Sequence, residues 1–288
     1  VDVIPGSAGD LIWADFDPTL DQYFGIPFWG PDSKEFFIAR MPRLQNTIDL
    51  YAVNAADGSK RHVYNETYKT WLNWFVGVVF TDRGLYMARE FETGWQQIYF
   101  LSYDGKEFRR LTDGPNWNVT IVRVDEKKGD VYFTAKRDAV AKQALYKVDK
   151  KGVIKALTDP AYNATGISFS PDGKYFVASL SNMTTPVKIE IFNSSNGMVS
   201  NYEYNACADC LIYRKTASEE ESDNYLIPHS ALMPDPFTSD LRGRLVADMA
   251  GPDFNPSVYA LPEMVYLATR DGFWLPGMIV YPKNFDES

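Results

Sequence analysis

Among 288 residues there are only two cysteines and two histidines, 29 lysines and arginines stand against 38 aspartates and glutamates, and long apolar runs are missing. Each scarcity removes a class of function. A formal charge of −9 leaves no basic stripe to release counterions from a phosphate backbone, so nucleic acid is not an expected partner. The longest apolar stretches, such as residues 74–80, fall well short of the roughly 20 residues of a spanning helix. No basic n-region followed by an apolar h-region opens the chain. The expectation is a soluble chain with no membrane span. Cys207 and Cys210, spaced Cys-Ala-Asp-Cys in a polar stretch, have neither the βαβ context of a redox pair nor a second Cys/His pair, since His62 and His229 are not spaced to supply one. They read as loop cysteines, free or bridged to each other, and no metal or cofactor is expected. Helical signal is nearly absent as well, its best stretch, residues 230–249, being broken by Pro234 and Pro236.

What the chain has in quantity is aromatic residues: 18 Tyr, 18 Phe and 7 Trp make up 15% of it. Such side chains favour pleated, half-buried surfaces, so composition leans towards an all-β protein. The pattern agrees. A unit of an apolar strand, a turn, a second strand, a spacer and a glycine-closed hairpin recurs four times, over residues 28–58, 78–105, 120–152 and 166–197. Its turn glycines, Gly58, Gly105, Gly152 and Gly197, are 47, 47 and 45 positions apart by their numbers. That period suits four short antiparallel strands, the blade of a β-propeller. Asp-Gly and Asn-Gly suit the hairpins because Gly and Asn tolerate positive φ. A sandwich has no reason to hold such a register over four units. The expectation is an all-β chain of about four to six four-stranded propeller blades over residues 1–260, with an acidic, Pro-punctuated closure or insertion beginning at residue 216. A hairpin outside the repeat follows over 261–288, its strands near 263–269 and 274–282 and its turn at Arg270-Asp271-Gly272.

Three stretches resemble the S9 (prolyl oligopeptidase) family of serine peptidases, in its dipeptidyl peptidase IV branch. Arg43-Leu44-Gln45-Asn46 before an apolar strand resembles the branch's Arg-x-Gln-Asn segment. Residues 90–99, Glu-Phe-Glu-Thr-Gly-Trp-Gln-Gln-Ile-Tyr, continuing to Leu111-Thr112-Asp113-Gly114-Pro115-Asn116-Trp117-Asn118-Val119, resemble a blade of the family. The tail through Tyr281-Pro282-Lys283-Asn284-Phe285-Asp286 resembles its lead-in to an α/β-hydrolase domain. The resemblance implies a seven- or eight-bladed propeller capping a hydrolase whose Ser, Asp and His lie nearer the C-terminus, an enzyme releasing N-terminal dipeptides, often after Pro or Ala. It also implies a Glu pair holding the substrate's amine.

The chain has no Gly-x-Ser-x-Gly elbow, Gly6-Ser7-Ala8-Gly9 lacking that spacing, and no adjacent Glu pair before residue 43. Glu219-Glu220-Glu221 comes too late in the order and reads as a solvated loop, and His62 and His229 read as surface or loop residues. Chemistry and amine anchor are thus expected elsewhere, and no catalytic residue is assigned in this chain. A part of the substrate wall remains. Matching the family's loop through Trp71 puts Phe75 where the family has a pocket aromatic, with Val76 in place of its Arg. Trp71 and Phe75 are therefore candidate substrate-binding residues, while Trp71, Trp74 and Phe75 read equally as core of an inner strand. Arg43 and Asn46 read as a polar turn.

Two classes of function follow. One is the gating and binding propeller of an exopeptidase, with peptide substrate and its own hydrolase domain as partners. The other is a stand-alone propeller binding a protein or glycan on one face; a propeller glycosidase has no distinguishing carboxylate spacing here. The unpaired end strands of an incomplete ring invite association with a second copy. Five sequons, at Asn65, Asn118, Asn163, Asn182 and Asn193, matter where the source glycosylates secreted proteins. A periplasmic or secreted location is expected.

Overall fold

The computed structural model describes residues 11–198, 243–251, 254–255, 258–272 and 274–282. Among the described residues there is no α-helix, and the strands form four antiparallel meanders and one separate hairpin. Cys207, Cys210, Glu219-Glu220-Glu221, His229 and Gly6-Ser7 lie outside the described residues. Two compact units are present, one running to Val140 with Leu145–Lys155 added, the other made of Ala141–Ala144 and the chain from Ala156 onward.

In the first unit, the first sheet contains β1 (Gln22–Phe24), β2 (Phe28–Trp29), β3 (Glu35–Pro42), β4 (Thr47–Asn54) and β5 (Lys60–Thr67). Both β1 and β2 pair with β3, the former opposite Arg40, Met41 and Pro42, the latter opposite Phe36 and Phe37. They are two halves of one inner strand. Gly25 between them still donates its N–H to the Ala39 carbonyl at 2.9 Å, and the ladder lapses where Pro27 has no N–H to give. The first blade thus starts earlier than its readable repeat, which begins at Phe28.

The second sheet is the meander β6 (Val79–Phe80), β7 (Gly84–Arg89), β8 (Gln97–Ser102) and β9 (Phe108–Arg110). The third is β10 (Trp117–Asp125), β11 (Asp130–Lys136), β12 (Ala144–Val148) and β13 (Ile154–Ala156). Strands β3 and β4 alternate between buried and half-buried positions, whereas β7 and β8 are buried almost throughout. The second sheet is covered on both faces. Leu85, Met87, Tyr99 and Leu101 point into a cluster with Phe37, Met41, Ile48 and Leu50 of the first sheet. Tyr86, Ile98 and Phe100 are buried on the opposite face, where β7 meets β10.

The second unit contains β14 (Asn163–Phe169), β15 (Tyr175–Ser181), β16 (Lys188–Asn193) and β17 (Arg244–Asp248), again a four-stranded antiparallel meander, and the hairpin β18 (Pro262–Ala268) with β19 (Trp274–Val280). Phe176 and Phe192 stack at 4.9 Å in the core of the meander. Strand β17 closes this blade from within the stretch that carried the best helical signal, with Leu245 and Ala247 the less exposed of its residues. The all-β, bladed architecture is as the repeat requires, with four four-stranded units in the described residues.

The four repeat glycines have φ of 74°, 74°, 82° and 73° in chain order, all in the left-handed region. Conformation is half the reason for them. A Cβ on Gly105 would overlap the Val63 carbonyl on β5, and one on Gly58 or Gly197 would overlap the carbonyl of Trp13 or Leu157. Each of these hairpins therefore rests directly on backbone that precedes its sheet, and the period records a close approach as well as a turn. Asp104 clamps the Gly105 turn, and the Ser102 hydroxyl, with the Lys106 amide, draws its carboxyl down to about 2.

Gly94 offers a control, having φ of 78° but no neighbour within 4 Å of the place a Cβ would occupy. Gly94→Ala is expected to cost the ~1–2 kcal/mol of the left-handed region alone. Gly105→Ala is expected to cost at least twice as much, measured by chemical denaturation; equal losses would show that the carbonyl contact carries no weight.

Candidate functional site

Up-and-down strands put alternate connections at the same end of a sheet. In the first unit, one end gathers the β3–β4 turn at 43–46, the β5–β6 loop at 68–78, the β7–β8 loop at 90–96 and the β9–β10 link at 111–116. Apart from the short turn at 43–46, these connections are longer and less regular than the glycine turns opposite. They hold together through polar contacts.

At the centre is an ion pair removed from water. Arg89, at the end of β7, donates from Nε and Nη2 to the two carboxylate oxygens of Glu66 on β5 at 2.7 and 3.0 Å, their side chains 3% and 0% exposed. Tyr64 donates its hydroxyl to Glu66 Oε2 at 2.8 Å. Burial and the Glu66 charge push that phenol far above its usual range, so it remains a donor. Arg89 Nη1 then reaches the Asn73 carbonyl at 2.9 Å, and the guanidinium lies 4.8 Å from the Phe75 ring. Phe75 meets Tyr64 edge-on at 6.0 Å. One arginine thus joins two sheets and sets the course of residues 73–75.

The start of the same loop is tied to the Arg43–Asn46 turn. Tyr68 and Leu72 donate their N–H groups to the carbonyls of Asn46 and Gln45, both at 2.9 Å, and the Leu72 side chain is buried. Gln45 has φ of 52°, and Arg43 pairs with Asp21 at 3.1 Å while 73% exposed. A polar turn is what the structure has there. Beyond it, Asn73 Nδ2 donates to Glu90 Oε1, and Gln96 Nε2 reaches Glu90 Oε2 at 3.3 Å. Gln96 Oε1 accepts the Val119 N–H at 2.7 Å.

A second buried polar knot joins the second and third sheets. Gln97 Oε1 accepts from Thr112 Oγ1 at 2.8 Å and from Asn116 Nδ2 at 2.7 Å, and Arg137 Nη1 donates to Asn116 Oδ1 at 2.7 Å. Gln97 and Asn116 are fully buried. Trp71, Trp95 and Trp117 stand exposed in or beside these connections, at 67%, 42% and 56%.

Trp71 and Phe75 therefore share one loop and differ in environment. Trp71 projects to solvent, whereas Phe75 is half-buried on Arg89 and packs against the core; neither belongs to a strand. Val76 is 76% exposed. His62 lies on β5 with Nε2 3.1 Å from Asp49 Oδ1, which also accepts from Asn65 Nδ2 at 2.7 Å. Residues that sequence reasoning passed over, Glu66, Arg89, Gln97, Asn116 and Arg137, hold this end together. Glu66 was visible only as the middle of a sequon. The recurrence of Leu-Thr-Asp at 111–113 and 157–159 was the available sign that Thr112 and Thr158 are buried structural residues.

Residues 11–187, more than half of the chain, match the family described as Dipeptidyl peptidase IV (DPP IV) N-terminal region. The chain belongs to that family. Dipeptidyl peptidase 4 of Trichophyton rubrum is 29% identical over 106 residues, which cover 36% of this chain and 14% of the fungal protein. The crystal structure of Porphyromonas gingivalis dipeptidyl peptidase 4 superposes with a TM-score of 0.67 at 19% identity, over 96% of this chain and 33% of that one. The match to it establishes a propeller fold. The chain spans a third or less of the length of these relatives.

Replacing Glu66 with Leu is expected to cost about 3–5 kcal/mol, since Arg89 is left charged, buried and unpaired. The double variant Glu66→Leu/Arg89→Met should be much less destabilised than the sum of the single changes. Additive losses in a denaturation cycle would remove the pair from its structural role.

Proposed function

We infer that this chain is the propeller part of a dipeptidyl peptidase IV-type serine exopeptidase, and that the irregular end of its first unit forms part of the wall peptide substrates meet. The observation that carries this reading is Phe75. By the sequence resemblance it stands at the family's pocket aromatic, and its ring is held at 4.8 Å on a buried guanidinium, in the same loop as the exposed Trp71. A rigid aromatic costs little entropy to present to a ligand, and it suits the apolar side chain of a Pro or Ala residue.

The reaction itself falls to groups beyond these residues. In the reading proposed, a hydrolase domain following the β18–β19 hairpin supplies nucleophile, base and orienting acid, and the propeller restricts access to short peptides. A periplasmic or secreted location goes with this role. The family match and the fold support the reading against a stand-alone binding module, because the matched relatives are peptidases.

In the protein carrying this region with its hydrolase domain, Trp71→Ala and Phe75→Leu are expected to raise KM for Gly-Pro chromogenic dipeptides or longer Pro-containing peptides. The change should be about tenfold, the size of one lost apolar contact, with kcat within about twofold. Leu at 75 keeps most of the packing on Arg89, so folding and binding separate. Unchanged KM in both variants would overturn the substrate wall. The isolated chain is expected to give no turnover; cleavage blocked by a serine-directed inhibitor would overturn the placement of the chemistry.

A further inference from the structure

At the opposite end of the second and third sheets, the β6–β7, β10–β11 and β12–β13 turns line an open cavity of about 240 Å³ that the peptidase reading does not use. Five cations line it, Arg83, Arg109, Lys127, Lys128 and Lys150, against two carboxylates, Glu126 and Asp149. This is a local positive excess on a chain of charge −9. Arg109 pairs with Glu107 at 3.6 Å and Lys128 with Asp125 at 3.4 Å. Among the described residues Lys127 and Lys150 make no ion pair, and Arg83 has only the Phe100 ring, 5.7 Å from its guanidinium.

Each of the two acids accepts from backbone N–H groups. Asp149 Oδ1 accepts the N–H groups of Val153 and Lys151 at 2.9 and 2.8 Å, which hold its carboxyl below the usual range. Glu126 Oε2 accepts the Asp82 N–H at 3.2 Å, while its Oε1, shielded from solvent, accepts nothing.

The lysines are brought together by the backbone. Gly129 has φ of 75°, and a Cβ there would stand 2.9 Å from Lys150 Cβ, so its bare Cα lets the β12–β13 turn close against the β10–β11 turn. Three lysines on two adjoining turns repel one another, and a multiply charged anion between them relieves that repulsion. The cavity is smaller than the ~300–1,000 Å³ of drug-sized pockets, which favours a small ion. The negative net charge disfavours a nucleic-acid backbone.

We propose that this cavity binds a phosphate-class oxyanion, as the free ion or as the phosphate of a small phosphomonoester. The proposal is independent of the substrate wall, which lies at the other end of the sheets. Calorimetric titration of the chain with inorganic phosphate and with glycerol 2-phosphate, at ionic strength held constant with chloride, tests it. Saturable binding is expected, at least tenfold weaker in Lys127→Gln/Lys150→Gln and unchanged in Lys34→Gln/Lys106→Gln. All four lysines are exposed, so these variants should fold, which circular dichroism verifies. Saturation by phosphate alone assigns the free ion, and saturation by both assigns the phosphomonoester. The absence of saturable heat with either, or equal affinity in the two double variants, would overturn the site and leave the peptidase reading untouched.

Discussion

The Glu66–Arg89 pair is the contact on which the arrangement of the first unit turns. Both side chains are out of water, and the desolvation cost of such charges is repaid only while every donor and acceptor stays engaged. A small slip of β7 along β5 would strand a guanidinium in the core. The two sheets therefore have one permitted register at this end. Through the Asn73 carbonyl and the Phe75 ring, the same arginine transmits that register to a loop with no ladder of its own.

The pair specifies the packing and does not supply most of its stability. The cluster between the first two sheets contains eleven buried side chains larger than alanine, each worth roughly 1.5–3 kcal/mol on burial, whereas a buried ion pair is often neutral or unfavourable relative to an apolar replacement. Apolar faces alone tolerate sliding, because Leu on Leu is nearly as good one step along. Buried polar groups do not. Gln97, Thr112, Asn116 and Arg137 repeat this division of labour between the second and third sheets: aliphatic and aromatic burial provides the magnitude and a few directional contacts select one geometry.

The repeat was legible because positive φ recurs at all four turn glycines and, at three of them, a carbonyl lies where a Cβ would be, and only glycine meets both. Gly105 therefore announces its blade in the amino-acid sequence. The half-strand Gln22–Phe24 was not legible, since Gly25-Ile26-Pro27 interrupts the alternation that would reveal it, although the Gly25 N–H keeps the ladder going. Strand β17 was hidden for a different reason: it pairs with β16 from far along the chain, and cross-strand partners at such separation leave no local pattern. Phe75 was recognisable as a loop aromatic, yet its support was not. A lone Glu66 in a strand of mixed polarity looks like a solvent-facing residue, and its partner is 23 positions away.

A propeller built this way has two ends with different freedoms. At the glycine end, the hairpins share a turn conformation and, at Gly58, Gly105 and Gly197, backbone close beneath them, so the connections are short and nearly alike. At the other end, connections of 4, 11 and 7 residues, at 43–46, 68–78 and 90–96, meet no such template and can differ in length and side chains without disturbing the ladders. Irregularity there would leave the loops loose, since they have no strand ladder of their own to hold them. The buried ion pair and the Gln97–Asn116 knot resolve this conflict. They anchor irregular loops to regular sheets by their roots, leaving the tips, Trp71 among them, exposed to solvent.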